Sequence, residues 1–250
     1  MKAPFYIISD NHFMMKDDNN EKKRRKRLFS VLDKIKKEGK GTLLIGGDFF
    51  DFWFETNAVI PNGYKDLIDK LGSLQKYNID IHYIAGNHDY WDFGYLKEKA
   101  NINFYKNDLE FHLNDKKILI THGDGLLKSD YGYRFMKKII RSTLFIKLFK
   151  MIPPQLSFKM ANKLSKSSSG YNHNDKYIDT IMTDIVNYAK YKWSTGIDIV
   201  LVGHYHQQKI VHHEKKHLIF LGDWLDKFTI TKISSNEIWQ GNWKEFLELT

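Results

Sequence analysis

An α/β layered fold is what this sequence predicts, on three observations. Six short runs rich in Ile, Val, Leu and aromatics recur along the chain, and stretches with helical spacing of apolar residues lie between them. Each strand-like run is closed by Gly, Asp or His, so polar chemistry gathers at the C-terminal ends of the strands. Alternation of this kind is the signature of helices layered on a sheet.

In chain order, the first strand is expected at Phe5–Ser9, ending in Asp10. A helix follows over Lys22–Glu38, where Leu28, Val31, Leu32 and Ile35 recur at helical spacing and Gly39 provides the stop. Thr42–Ile45 reads as the second strand, Gly63–Tyr77 as the second helix and Ile81–Ala85 as the third strand. Ile118–Thr121 comes next, then a long insertion and a helix over Lys176–Trp193. Ile197–Val202 and Leu218–Leu221 complete the set, the latter as the last long strand.

Apolar runs are spread evenly from Phe5 to Ile230, with no linker at which 250 residues would divide. A single domain over 1–250, with an insertion at about 128–170, is therefore expected. The chain has no cysteine, which excludes disulfides and thiolate-held zinc. Ala3 to Ser9 is too short for a signal peptide's apolar core, so a cytoplasmic location is expected. No apolar run approaches the roughly 18–20 residues of a spanning helix. Contact with a membrane would be peripheral.

Charge is distributed unevenly. Between Lys128 and Lys166 stand ten Lys/Arg against a single acid, Asp130, so this stretch accounts for the whole net charge of +9. The same stretch carries Phe135, Met136, Ile139, Ile140, Leu144, Phe145, Ile146, Leu148, Phe149, Met151 and Ile152. Cations interleaved with apolar residues point to an anionic lipid surface or an amphiphilic ligand, and away from nucleic acid. The shorter run Lys22–Arg27 reads as the solvated face opening a helix, and Lys166–Gly170 as a turn after the insertion.

Five motifs follow the strand-like runs: Asp10-Asn11-His12, Gly47-Asp48-Phe49-Phe50-Asp51, Gly86-Asn87-His88-Asp89, His122-Gly123-Asp124 and Gly203-His204-Tyr205-His206. Oxygen and imidazole donors without thiolates suit Mn²⁺, Fe²⁺ or Zn²⁺. Residues two apart on a strand share a side, so Asp10 and His12 would face one ion if strand geometry persists. Asp48, after the pair Gly46-Gly47, is the ligand type able to bridge two cations. His204 and His206 would diverge to opposite ions around a turn. Phe49, Phe50, Phe52, Trp53 and Phe54 are too many aromatics to face inward on one element, so some are expected to line a ligand chamber or meet a membrane.

Together these motifs resemble the calcineurin-like metallophosphoesterase superfamily, from Asp10 to His206. The resemblance implies a four-layer α/β/β/α sandwich with a helical lid insertion and two divalent ions, Mn²⁺ before Fe²⁺ or Zn²⁺. Asp10, His12, Asp48 and His206 would hold one ion, and Asp48, Asn87, His122 and His204 the other. Asp51, Asp89 and Asp124 would support them, orienting imidazoles and loops.

Asp130, Tyr133, the basic apolar insertion and Gly222-Asp223-Trp224 are similar to the family of UDP-2,3-diacylglucosamine pyrophosphohydrolases of lipid A synthesis. That implies a lipid-linked nucleotide substrate at the inner face of the cytoplasmic membrane. Hydrolysis there gives UMP and 2,3-diacylglucosamine 1-phosphate. Asp130, Tyr133, Ser165 and Lys166 would contact the substrate, and Asn87 and His88 would take part in catalysis. The sequence departs from that family at His88, where many members carry Arg; an imidazole would donate a proton or hydrogen bond where Arg supplies fixed charge. A phosphodiesterase acting on a soluble nucleotide or nucleic acid, and a non-catalytic scaffold, are the competing readings.

Overall fold

The computed structural model describes residues 1–16, 18–55, 62–152 and 175–249. Two mixed sheets form its centre. The first has strand order β11-β10-β1-β2-β3-β4 and the second β5-β6-β7-β9-β8. Their strands are β1 Phe5–Ile8, β2 Gly41–Ile45, β3 Ile79–Ile84, β4 Asn103–Tyr105, β5 Leu109–Leu113, β6 Lys116–Thr121, β7 Ile199–Val202, β8 Gln208–His213, β9 Lys216–Leu221, β10 Thr229–Ile233 and β11 Ile238–Asn242. The helices are α1 Asn19–Glu38, α2 Lys65–Ser73, α3 Tyr95–Ala100, α4 Tyr131–Ile140, α5 Thr143–Lys150, α6 Asp175–Ser194 and α7 Trp243–Glu248.

Strand alternation builds the layers. In β1, Phe5 and Ile7 point between the sheets, where they meet Ile118, Ile120, Ile199, Leu201 and Ile219 of the second sheet. Tyr6 and Ile8 point the other way, into a cluster with Leu28, Val31, Leu32 and Ile35 of α1. On the far side, Leu119, Val200, Val202 and Leu218 pack beneath Ile181, Ile185 and Ala189 of α6. The result is the expected α/β/β/α sandwich. Helix α1 begins three residues earlier than its periodicity suggests, because the Asp18 side chain accepts from the N–H groups of Asn20 and Glu21; it ends at Gly39 as expected.

Three expectations change. Leu218–Leu221 is not the last long strand: β10 and β11 follow it and cross to the first sheet, where β10 pairs antiparallel with β1. The run Lys22–Arg27 is not wholly a solvated face, since Arg24 and Arg25 are largely buried against Glu21. The aromatics after Asp48 do not lie on one element. Residues 49–54 wind past two isolated bridges, Phe13 with Phe50 and Phe54 with Trp91, so Phe49, Phe50, Trp53 and Phe54 are all buried.

Phe54 meets Trp91 and Phe149 of α5 edge-on, at ring separations of 5.2 and 4.8 Å. Phe54→Ala should therefore act on folding and destabilise the protein by about 3–5 kcal/mol, measured as a shift in urea unfolding. Among the described residues, no helix is long and apolar enough to cross a membrane.

Candidate metal centre

The five motifs stand at strand ends in both sheets. Asp10 and His12 follow β1, Asp48 follows β2, Asn87 and His88 follow β3, His122 follows β6, and His204 and His206 follow β7. Parallel pairing of β1, β2 and β3, and of β6 with β7, sets these ends side by side. Pairing also runs on past β1 and β2. The N–H of Asp10 donates to Gly47 O at 3.0 Å, that of His12 to Asp48 O at 2.9 Å and that of Phe13 to Phe49 O at 3.0 Å.

Asp10 and His12 do converge, but not by strand alternation. Strand β1 ends at Ile8, and Asp10, His12, Asp48, His204 and His206 all have left-handed backbones, with φ of 51°, 44°, 51°, 67° and 52°. Such conformations cost a non-glycine residue about 1–3 kcal/mol and persist where surrounding contacts over-determine them. Close approach is built into the neighbouring glycines. A Cβ on Gly86 would strike the Asp48 carboxylate, and one on Gly203 would come within 2.5 Å of Ser9 Oγ and 2.8 Å of Asp10 Oδ2.

Three groups of ligand atoms each fall within 4.8 Å: Asp10 with His12 and His206, His12 with Asp48 and His88, and Asp48 with His122 and His204. Asp48 stands between the outer groups, its Oδ2 lying 3.8 Å from His12 Nε2 and 3.3 Å from His122 Nε2. His206 Nε2 is 3.5 Å from Asp10 Oδ1, and Asn87 Oδ1 is 3.1 Å from His122 Nε2. The imidazole–carboxylate separations are long for hydrogen bonds, yet suited to atoms that share a cation at about 2.0–2.2 Å. The donor set fits divalent metal ions.

Supporting contacts fix these side chains. His122 Nδ1 is 2.9 Å from Gly46 O and His88 Nδ1 is 2.6 Å from Asp51 O. A carbonyl only accepts, so both Nδ1 atoms carry the proton, and His122 turns its Nε2 to the site. Ser9 Oγ donates to Asp10 Oδ2 at 2.6 Å, and the His88 N–H donates to Asp48 Oδ1 at 2.8 Å. Asp89 ties two ligand loops together, accepting from the N–H groups of Phe49 and Gly86, both at 2.7 Å, and from the Tyr83 hydroxyl. Asp124 anchors α4: its Oδ2 accepts from Tyr133 Oη at 2.8 Å, Lys137 Nζ at 2.7 Å and Arg141 Nη2 at 3.1 Å.

Burial and mutual charge polarise the site. Burial works against ionisation of Asp48, but His122 and His88 beside it hold its carboxyl well below the usual carboxylate range. Burial likewise disfavours the His122 imidazolium, yet Asp48 pushes it up to about 10. His204 goes the other way, lowered to about 3 by burial and then by His122. Burial raises Asp10 and lowers His12. Neutral His12 and His204 beside an ionised Asp48 present lone pairs, the state a metal requires.

Of the expected substrate contacts, Asp130 precedes α4 without a side-chain capping bond, and Tyr133 holds Asp124 with its ring 6.4 Å from that of His204. Ser165 and Lys166 lie outside the described residues, as does the turn through Gly170. Sequence reasoning missed Ser9, Arg24, Lys137 and Arg141. Only their positions, beside a motif or within a basic run, could have signalled them.

A profile of the calcineurin-like phosphoesterase family matches residues 3–208. A UDP-2,3-diacylglucosamine hydrolase of Porphyromonas gingivalis is 26% identical over 257 residues, covering 96% of this chain and 95% of that one. Another protein of that name, from Histophilus somni, is 28% identical over 200 residues, covering 78% and 82%. Among solved structures, an archaeal phosphodiesterase aligns over 95% of this chain and 98% of its own at 15% identity, with a TM-score of 0.46.

Proposed function

Because the chain belongs to the calcineurin-like phosphoesterase family, we propose that it hydrolyses the pyrophosphate of UDP-2,3-diacylglucosamine to UMP and 2,3-diacylglucosamine 1-phosphate, in lipid A synthesis. The observation that carries this reading is the segment Tyr131–Lys150. It exposes Tyr131, Phe135, Met136, Ile139, Leu144 and Leu148 among its cations while bonding directly to the ligand loop at Asp124. Acyl chains need an apolar lining and phosphates need cations, and this segment supplies both next to the metal residues. The names borne by the relatives point to the same substrate.

Asp10, His12, Asp48 and His206 would hold one divalent ion and Asp48, Asn87, His122 and His204 the second. Bound there, the ions supply charge neutralisation and acidify water for in-line attack on phosphorus. Mn²⁺ is the proposed species, its ligands being shared with Fe²⁺ and Zn²⁺. Asn87 contributes an oxygen without charge, which limits repulsion of an incoming phosphate. Desolvation of the half-buried His88 opposes its protonation, but Asp48 and the Asp51 carbonyl raise its pKa. It is thereby suited to donate a proton or hydrogen bond to the leaving oxygen. The expected insertion at about 128–170, whose residues 153–170 lie outside the described residues, serves as the lid in this reading, at the inner face of the cytoplasmic membrane with the protein peripherally bound.

The test is Mn²⁺-dependent hydrolysis of UDP-2,3-diacylglucosamine beside bis-p-nitrophenyl phosphate. Turnover of the lipid is expected to exceed that of the generic diester by at least about 100-fold in kcat/KM, the scale that remote binding interactions contribute. Activity on the diester alone would keep the phosphoesterase and discard the lipid substrate in favour of a soluble nucleotide.

A further inference from the structure

Behind the loop that carries Asp10 and His12 lies a guanidinium, and we propose that Arg24 is a positioning residue that sets the affinity of this half of the metal centre. The inference rests on the reading of Asp10, His12 and His206 as metal ligands. Arg24 Nη2 donates to Asn11 O, and Nη1 donates to His12 O at 3.3 Å. Those two carbonyls belong to the peptide units on either side of the His12 Cα. Fixing both fixes the left-handed backbone of His12, and with it the direction of the imidazole.

The clamp closes into a ring. Arg24 Nε donates to Trp224 O at 3.4 Å, the Trp224 N–H donates to Asp10 O at 3.1 Å, and Trp224 Nε1 returns a bond to Arg24 O at 3.3 Å. Asp10 and His12 are thus held from the rear through one planar fork. Something must stabilise this loop, since it contains two left-handed residues and a buried Asn11 whose amide atoms meet no partner among the described residues.

An ion pair with Glu21 does not by itself account for Arg24. Arg24 Nη1 is 2.7 Å from Glu21 Oε2, but Arg25 Nε already reaches Glu21 Oε1 at 3.1 Å and the Met14 N–H donates to the same oxygen. What Arg24 alone adds is the pair of carbonyl contacts. Lysine keeps the charge but lacks the fork that reaches two acceptors and Trp224 at once.

Mn²⁺ titration of the intact chain, followed by calorimetry and electron paramagnetic resonance, tests this. Wild type should take up two ions. Arg24→Ala should bind one with unchanged affinity and the other about 10–100-fold more weakly, the usual scale for losing a contact that orients a ligand. Millimolar methylguanidinium should restore the weakened step, and Arg24→Lys, which keeps the charge beside Glu21, should remain impaired. Arg27→Ala, on the same helix but stacked on Phe228 and Trp243, should bind both ions as wild type does.

Thermal unfolding without metal identifies any variant that fails to fold, in which case Arg24→Lys decides. Two unchanged affinities in a folded Arg24 variant would overturn the proposal, and so would equal weakening of both ions, which general loosening produces. A wild-type chain that binds fewer than two ions would instead overturn the reading of the metal centre.

Discussion

Asp48→Ala should lower kcat/KM by about 1,000-fold or more, because the several kcal/mol that cations supply at a phosphoryl group correspond to about one decade in rate for each 1.4 kcal/mol. Asp48 is the only carboxylate whose oxygen faces ligand atoms of both His12 and His122 among the described residues. Metal analysis after dialysis should show fewer than two ions per chain. The fold should survive, since the Asp48 side chain lies outside both sheets, where its Oδ1 accepts from the His88 N–H. His122 should also titrate lower, because the carboxylate that raises its imidazolium against burial is gone. Full activity with two ions retained would mean that Asp48 does not join the two groups.

Gly86→Ala should come close to the same loss with a smaller chemical change. The added methyl would meet the Asp48 backbone nitrogen at 2.5 Å and its Cγ at 2.7 Å, leaving no room for the carboxylate where it now stands. Misplacing a reacting group by about 1 Å costs on the order of 100-fold in rate, and overpacking adds about 1–3 kcal/mol of destabilisation. Gly132→Ala is the control, because nothing lies within 4 Å of its methyl. Steady-state assays together with urea unfolding would separate the two effects. Unchanged kinetics in Gly86→Ala would show that the loop yields where the geometry says it is fixed.

Legibility of the fold followed burial. β1, β2, β6, β7 and β9 are mostly buried at their apolar residues, so they announce themselves as continuous hydrophobic runs. β8, reading Gln-Lys-Ile-Val-His-His, lies at a sheet edge with largely exposed ends and carries no such run. β11, at the edge of the other sheet, is only half-buried and just as inconspicuous. β4 has three residues and α3 and α7 six each, too few to display a period.

At the site, residue types were readable while their means of convergence was not. A motif such as Asp10-Asn11-His12 shows which atoms are present. It does not show that two of the three residues are left-handed, or that the Arg24 guanidinium bonds to the carbonyls of Asn11 and His12. Likewise Phe49, Phe50, Phe52, Trp53 and Phe54 are too many to face inward on one element, but the chain winds, and Phe49, Phe50, Trp53 and Phe54 are all buried.

Sheet order also bears on the order of events during synthesis. β1 lies between β2 and β10, so the strand that leads into Asp10 is translated first yet gains one of its two neighbours only after Ile233 has emerged. Trp224, which bonds to Asp10 O, and His204 and His206 are late arrivals too. A nascent chain that has made Asp10, His12 and Asp48 therefore lacks the later candidate ligands and one neighbour of β1. Such long-range closure is characteristic of slow, high-contact-order folding, and in the proposed reading ions are captured only after the segments that bring His204, His206 and Trp224 are in place beside β1.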